Sequence, residues 1–141
     1  MTVGSAVHAY TGTPDEWKWG TLDITCAGGA ASDQALVAAV TGKKIQIVIT
    51  NIMVQPVTGD NMQPISVTIQ DSDNVQLSGA AVFVIPTFYK TQIGLGGGQY
   101  HVPFMGAVAY SATANRAIEA DIAGGAGAEH VIITYAWREF S

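Results

Sequence analysis

The residues able to do chemistry are few and poorly spaced for it. His8, His101 and His130 lie far apart, and no pair has the helical i, i+4 spacing or the H-E-x-x-H pattern by which two imidazoles share a zinc ion. Cys26 is the only cysteine, so neither an intrachain disulfide framework nor a zinc site of paired cysteines can form, and a small buried apolar side chain is expected there. Ser5, Ser66, Ser78 and Ser111 occupy no G-x-S-x-G elbow, the strained turn that presents a nucleophilic hydroxyl. Glu119 and Asp121 stand two apart and share a strand face, where paired carboxylates can do acid-base work; the wet side of a sheet is the simpler expectation.

Two loops invite ligand readings and fail on spacing. Gly94-Leu-Gly-Gly-Gly98 lacks the Lys-Ser/Thr of a phosphate loop and the third glycine of the dinucleotide fingerprint, which leaves a flexible turn. Asp71-Ser-Asp-Asn74 begins like a calcium loop, but Val75 stands where an oxygen ligand is due and neither the Gly nor the distal Glu follows. An Asx-type turn is the expectation there. No catalytic residue, cofactor or metal is therefore predicted: the sequence reads as a protein that binds and is not an enzyme.

The residues best suited to binding are aromatic and sit at the two ends: Tyr10, Trp17 and Trp19, then Tyr135, Trp137 and Phe140. Tryptophan and tyrosine dominate interface energies, which makes Tyr10, Trp17, Trp19, Tyr135 and Trp137 the partner-interface candidates. Tyr135 and Trp137 are in phase with Val131 and Ile133, so core packing competes for them.

Strands must position these groups. In the segment 64–70, Ile65, Val67 and Ile69 alternate with Ser66, Thr68 and Gln70, one face dry and the other wet. Residues 43–54 are β-branched almost throughout; Ile45, Ile47 and Ile49 share a face and Val48 and Ile52 occupy the other, which predicts a strand buried on both sides. Ile118, Ala120 and Ile122 alternate with Glu119 and Asp121 and, with the alternating segment 130–137 beyond a glycine-rich turn, predict a terminal hairpin. Shorter strands are expected at 22–26, 81–85, 91–93, 100–104 and 107–111. Residues 32–40 fit either two helical turns capped by Ser32 or Asp33, or a strand pairing with the one that starts at Lys43.

The fold expected is all-β, an antiparallel β-sandwich or jelly-roll-like barrel, with residues 1–20 as an extended N-terminal arm and 21–141 as a single domain. Only 12% of the residues are charged, against about 25% in an average soluble domain. Too little charge remains to cover a monomer, so a homo-oligomer or another partner surface is expected. A net charge of −5 with six Lys and Arg leaves no basic stripe for nucleic acid. No apolar run approaches the ~20 residues of a membrane span, and residues 1–10 carry no secretory pattern, so assembly in the cytoplasm is expected.

From Gly42 onward the order of features resembles the small β-sandwich proteins of tailed bacteriophages that decorate the capsid or occur elsewhere in the virion. The likeness lies in a Gly42-Lys-Lys-Ile45 strand, the alternating Ile65-Ser-Val-Thr-Ile69 and the small-residue Leu77-Ser-Gly-Ala80. It continues through the Gly-Gly-Gly turn, Val102-Pro-Phe104, Thr113-Ala-Asn-Arg-Ala-Ile118 and the closing segment. The first 40 residues have no counterpart in it. The resemblance implies a capsid decoration, or cement, protein of the virion surface, made in the host cytoplasm. It implies a homotrimer seated on the major capsid protein where capsomers meet, without catalytic residues or cofactors. A glycan- or receptor-binding module of a phage tail or adhesin is the alternative, with exposed Trp and Tyr stacking on sugars.

Overall fold

Period-two alternation carries through to the architecture. The computed structural model describes residues 17–56, 64–85, 98–101, 108–124 and 127–141. They form β1 (Lys18–Cys26), a 3-10 turn (Ala27–Gly29), β2 (Ala31–Val37), β3 (Lys44–Pro56), β4 (Ile65–Asp71) and β5 (Ser78–Gly79), then β6 (Val82–Ile85), β7 (Gly98–His101), β8 (Val108–Tyr110), β9 (Ile118–Ala123) and β10 (Glu129–Phe140). No α-helix occurs among the described residues. The larger antiparallel sheet has the order β1-β10-β3-β8-β5, with β7 also on β3; the smaller has the order β2-β9-β4-β6. The chain repeatedly changes sheet, in an interleaving of the jelly-roll kind, and the protein is an all-β sandwich.

Three sequence expectations are corrected by the pairing. Residues 31–37 are a strand, but β2 pairs with β9 and not with β3, because the chain turns across to the other sheet at Gly42 (φ 72°). The terminal hairpin does not form: β9 pairs with β2 and β4, while β10 lies between β1 and β3. Alternation specifies which face of a strand is dry, not which strand lies beside it. Here the 12 residues of β10 match the 13 of β3. The chain leaves β9 at Gly124 (φ 102°), where a Cβ would stand 2.6 Å from the carbonyl oxygen of Pro64. Third, Ile52 faces the core together with Ile45, Ile47 and Ile49. A β-bulge at Thr50, where Thr134 pairs with Asn51 but Tyr135 pairs with Ile49, reverses the phase of β3 halfway along.

β1 starts at Lys18, within the segment assigned to the arm, and residues 1–16 lie outside the described residues, as do the strand expected at 91–93 and residues 102–104 of the one expected at 100–104. The strands expected at 22–26, 81–85 and 107–111 correspond to β1, β6 and β8.

The inward rows of both sheets form one apolar layer. Ile45, Ile47, Ile49, Ile52, Val54, Val131 and Ile133 from the larger sheet meet Ile65, Val67, Ile69, Phe83, Ile85, Ile118 and Ile122 from the smaller, all buried. Each contributes about 1.5–3 kcal/mol relative to exposure. Tyr135 adds a polar tie: its hydroxyl donates to the carbonyl of Leu36 in β2 at 2.5 Å, joining the sheets. Gly20, opposite Tyr135 on β1, makes room for the ring, since a Cβ there would lie 2.4 Å from the tyrosine Cζ. At the lower end of the sandwich the buried Ser111 receives the Ile45 N–H on its hydroxyl, 3.0 Å, and Asn115 Oδ1 accepts from Gly42 N at 2.5 Å. The loop before β9 thereby clasps the turn before β3.

Two substitutions test the tie. Tyr135→Phe should lower unfolding free energy by about 1 kcal/mol, the net worth of one hydrogen bond. Gly20→Ala should cost more, about 1–3 kcal/mol, because the tyrosine ring must move. Urea midpoints at constant m-value measure both.

Candidate functional site

The outer face of the larger sheet is the most chemically distinctive surface among the described residues. On the lower half of β3 Gln46 and Val48 alternate with the inward Ile45, Ile47 and Ile49 and so face outward, and cross-strand pairing builds rows from them. One row runs Trp19, Ala136, Val48, Val108; the next runs Arg138, Gln46, Tyr110. Val48 and Ala136 are fully buried, although they point away from the layer between the sheets. Trp19 is 64% exposed and Tyr110 45%. The face thus has a small-residue floor with aromatic groups at its margins.

Arg138 is held in a fixed orientation. Its Nε donates to Gln46 Oε1 at 2.6 Å, and its guanidinium carbon lies 5.0 Å from the centre of the Trp17 ring. Such a cation-π contact contributes about 0.5–1 kcal/mol when exposed. Across β3, Tyr110 and Phe140 meet edge to face, with centroids 6.5 Å apart and planes at 81°. Gln46, Tyr110, Arg138 and Phe140 line a shallow pocket of about 240 Å³. Its described lining offers two aromatic rings, one guanidinium and one amide.

The structure separates the aromatic candidates by strand phase. Trp17 and Trp19 belong to this outer face. Tyr135 is a core residue, 5% exposed, and Trp137 packs partly buried against the core, with the Lys18 ammonium 4.4 Å over its ring and Lys18 in turn 2.7 Å from Glu139. Tyr10 lies outside the described residues. Sequence reasoning passed over Tyr110, Gln46 and Arg138. Arg138 and Phe140 continue the outward phase of Ala136, which was the available signal; the three-residue β8 carries too short a pattern to orient Tyr110.

The other candidates resolve as follows. Glu119 and Asp121 do share a face, the outer side of the smaller sheet, opposite Gln70 and Thr68. Asp71 closes an Asx-type turn, its Oδ1 accepting from Asp73 N at 2.9 Å and Val75 N at 3.1 Å, with Asn74 at φ 63°. Cys26 is buried, and burial, with the neighbouring Glu129 second, pushes its thiol pKa up. His130 meets Asp23 through Nε2 and Oδ1 on the outer face of the larger sheet. Of residues 94–98, only Gly98 is described, at the start of β7.

Glu129 was missed altogether. It opens β10 opposite Cys26 and Pro56, is fully buried, and neither carboxylate oxygen has a hydrogen-bond partner among the described residues. Burial pushes its pKa above the ordinary carboxylate range. In the unfolded chain the group titrates near 4.3. The folded state therefore holds the proton more tightly. The associated stability is complete below the ordinary range and is lost as pH rises through the higher folded value.

No family model matches the chain, and neither a curated protein nor a solved structure matches it.

The pH dependence is directly testable. The melting temperature should fall as pH rises above the ordinary carboxylate range. Glu129→Gln should flatten that fall and raise the melting temperature at the alkaline end, whereas Glu119→Gln should remove only the smaller share due to that partly exposed carboxyl.

Proposed function

We propose that this chain is a structural virion protein, a decoration or cement protein on the outside of a phage capsid. In this reading it acts as a homo-oligomer, with a trimer favoured, bracing contacts between copies of the major capsid protein. The observation that carries the reading is the outer face of the larger sheet, where Trp17, Trp19, Tyr110 and Phe140 surround Arg138 and Gln46. Aromatic faces with a buried small-residue centre suit docking on another protein. The low charge of the chain, 12% of residues, supports the same reading, as does the order of turns and strands from Gly42 onward.

Co-sedimentation with capsid shells stripped of their decoration tests it. The purified chain should rebind. Trp19→Ala should weaken binding by at least about tenfold, the effect of removing one anchor of moderate strength. A chain that stays in the supernatant with every shell tried refutes the reading.

The pocket favours one second reading, a glycan-binding module. Two aromatic rings beside a guanidinium and an amide are the groups that stack on a pyranose and orient its hydroxyls. Glycan-array signals that vanish in Tyr110→Ala, together with no binding to shells, would move the assignment to this alternative.

A further inference from the structure

The two outer faces of the sandwich differ in charge. Outward positions on the lower half of the larger sheet carry Lys44, opposite Phe140, and Arg138, and no carboxylate occurs in those rows. The outer side of the smaller sheet carries Glu119 and Asp121 on β9, with Asp33 on β2 beside them. The salt bridges among the described residues are Lys18–Glu139, Arg116–Asp73 and His130–Asp23, so none neutralises Asp33, Glu119 or Asp121. Burial raises the Glu119 pKa first, and the Asp33 and Asp71 carboxylates raise it further. Negative charge therefore accumulates there without a counterion among the described residues.

Apolar groups accompany both sets of charges. On the smaller sheet Val82 and Val84 of the edge strand β6 are 50% and 60% exposed, opposite Thr68 and Ser66. They lie two strands from the carboxylates, about 10 Å. On the larger sheet Trp19 lies two strands from Lys44, a similar lateral span. In a chain with so few charges, their separation onto opposite faces leaves each face poor as a partner for itself. A face that repels its own copy cannot form a two-fold contact, whereas each face suits the other.

We infer that copies of this chain associate head to tail, the acidic valine-flanked face of the smaller sheet on one copy seating on the cationic aromatic face of the larger sheet on the next. Such a heterologous contact uses two different surfaces per copy and closes into a ring when the rotation permits. It assigns the outer face of the larger sheet to the contact between copies, so that in the proposed function Trp19→Ala weakens shell binding through loss of the oligomer, and it rests on that reading only for its place in a virion.

The test uses the purified full chain without capsids, so its outcome is separate from that of the shell-binding assay. Sedimentation velocity at low ionic strength should show an oligomer that dissociates as salt is raised. Lys44→Glu with Arg138→Glu should weaken association by about tenfold or more, and so should Glu119→Lys with Asp121→Lys. Mixing the two double variants should restore association between unlike copies in even-numbered assemblies, since each reversed face then meets a face of opposite sign and an odd ring cannot alternate. That restoration also shows that both variants are folded. A monomeric wild-type chain overturns the inference. So does an oligomer disrupted by reversal on one face only, or two disrupted variants that keep native melting curves and do not recover on mixing.

Discussion

The larger sheet is organised on β3, and β3 stays in phase with the core because of one extra residue. Thirteen residues of strict alternation would carry Ile45, Ile47 and Ile49 inward and then present Ile52 and Val54 to water. The bulge at Thr50 absorbs the mismatch, and Thr50 Oγ1 pins it by donating to the Thr134 carbonyl at 3.0 Å. β10, β7 and β8 take their registers from β3 on either side of that point. A slip by one residue would exchange the core row for the outer row along the whole strand. The apolar layer thus runs the whole length of β3 because of a single backbone irregularity.

The two ends of the sandwich are finished differently. At the lower end hydrogen bonds close every turn: Ser111 with Ile45, Asn115 with Gly42 and Lys43, Asp71 with its own loop. At the upper end Glu129 is fully buried, with no partner for either oxygen among the described residues. A buried acid in that setting stabilises the fold only while it holds its proton. The strong ties lie beside the aromatic face, and the conditional one lies at the opposite end.

Much of the architecture was legible in the sequence because alternation of isoleucine and valine with polar residues is an unambiguous signal. It placed β3, β4, β9 and β10 and the inward rows of the last three. Pairing was less legible. β9 and β10 are adjacent in sequence and both alternate, yet they belong to different sheets, because neighbours are chosen by matching length and by the sheet change at Gly124. The bulge was hidden because Thr50 and Asn51 are acceptable on either face. Of the candidate surface, the tryptophans were visible as residues, but their grouping with Tyr110 and Arg138 depends on a cross-strand register that no local pattern encodes. Glu129 was unreadable for the opposite reason: a glutamate at the start of a strand looks like a solvent-facing residue until its neighbours are known.

The interleaved strand order has a kinetic meaning. β1 pairs with β10, and the ion pair between Lys18 and Glu139 joins positions 121 residues apart in the chain. During synthesis β1 leaves the ribosome long before the strand that covers its edge has been made, and β3 likewise waits with one side open. Contacts of such separation must close large loops before they are rewarded, which places jelly-roll chains among slow folders. The shortage of charge that suits the finished surface then becomes a hazard, since half-built sheets with open edges and few repelling groups associate readily. Efficient production of this protein thus depends on how long β1 and β3 remain uncovered, and lower temperature or slower synthesis should act on yield through that interval.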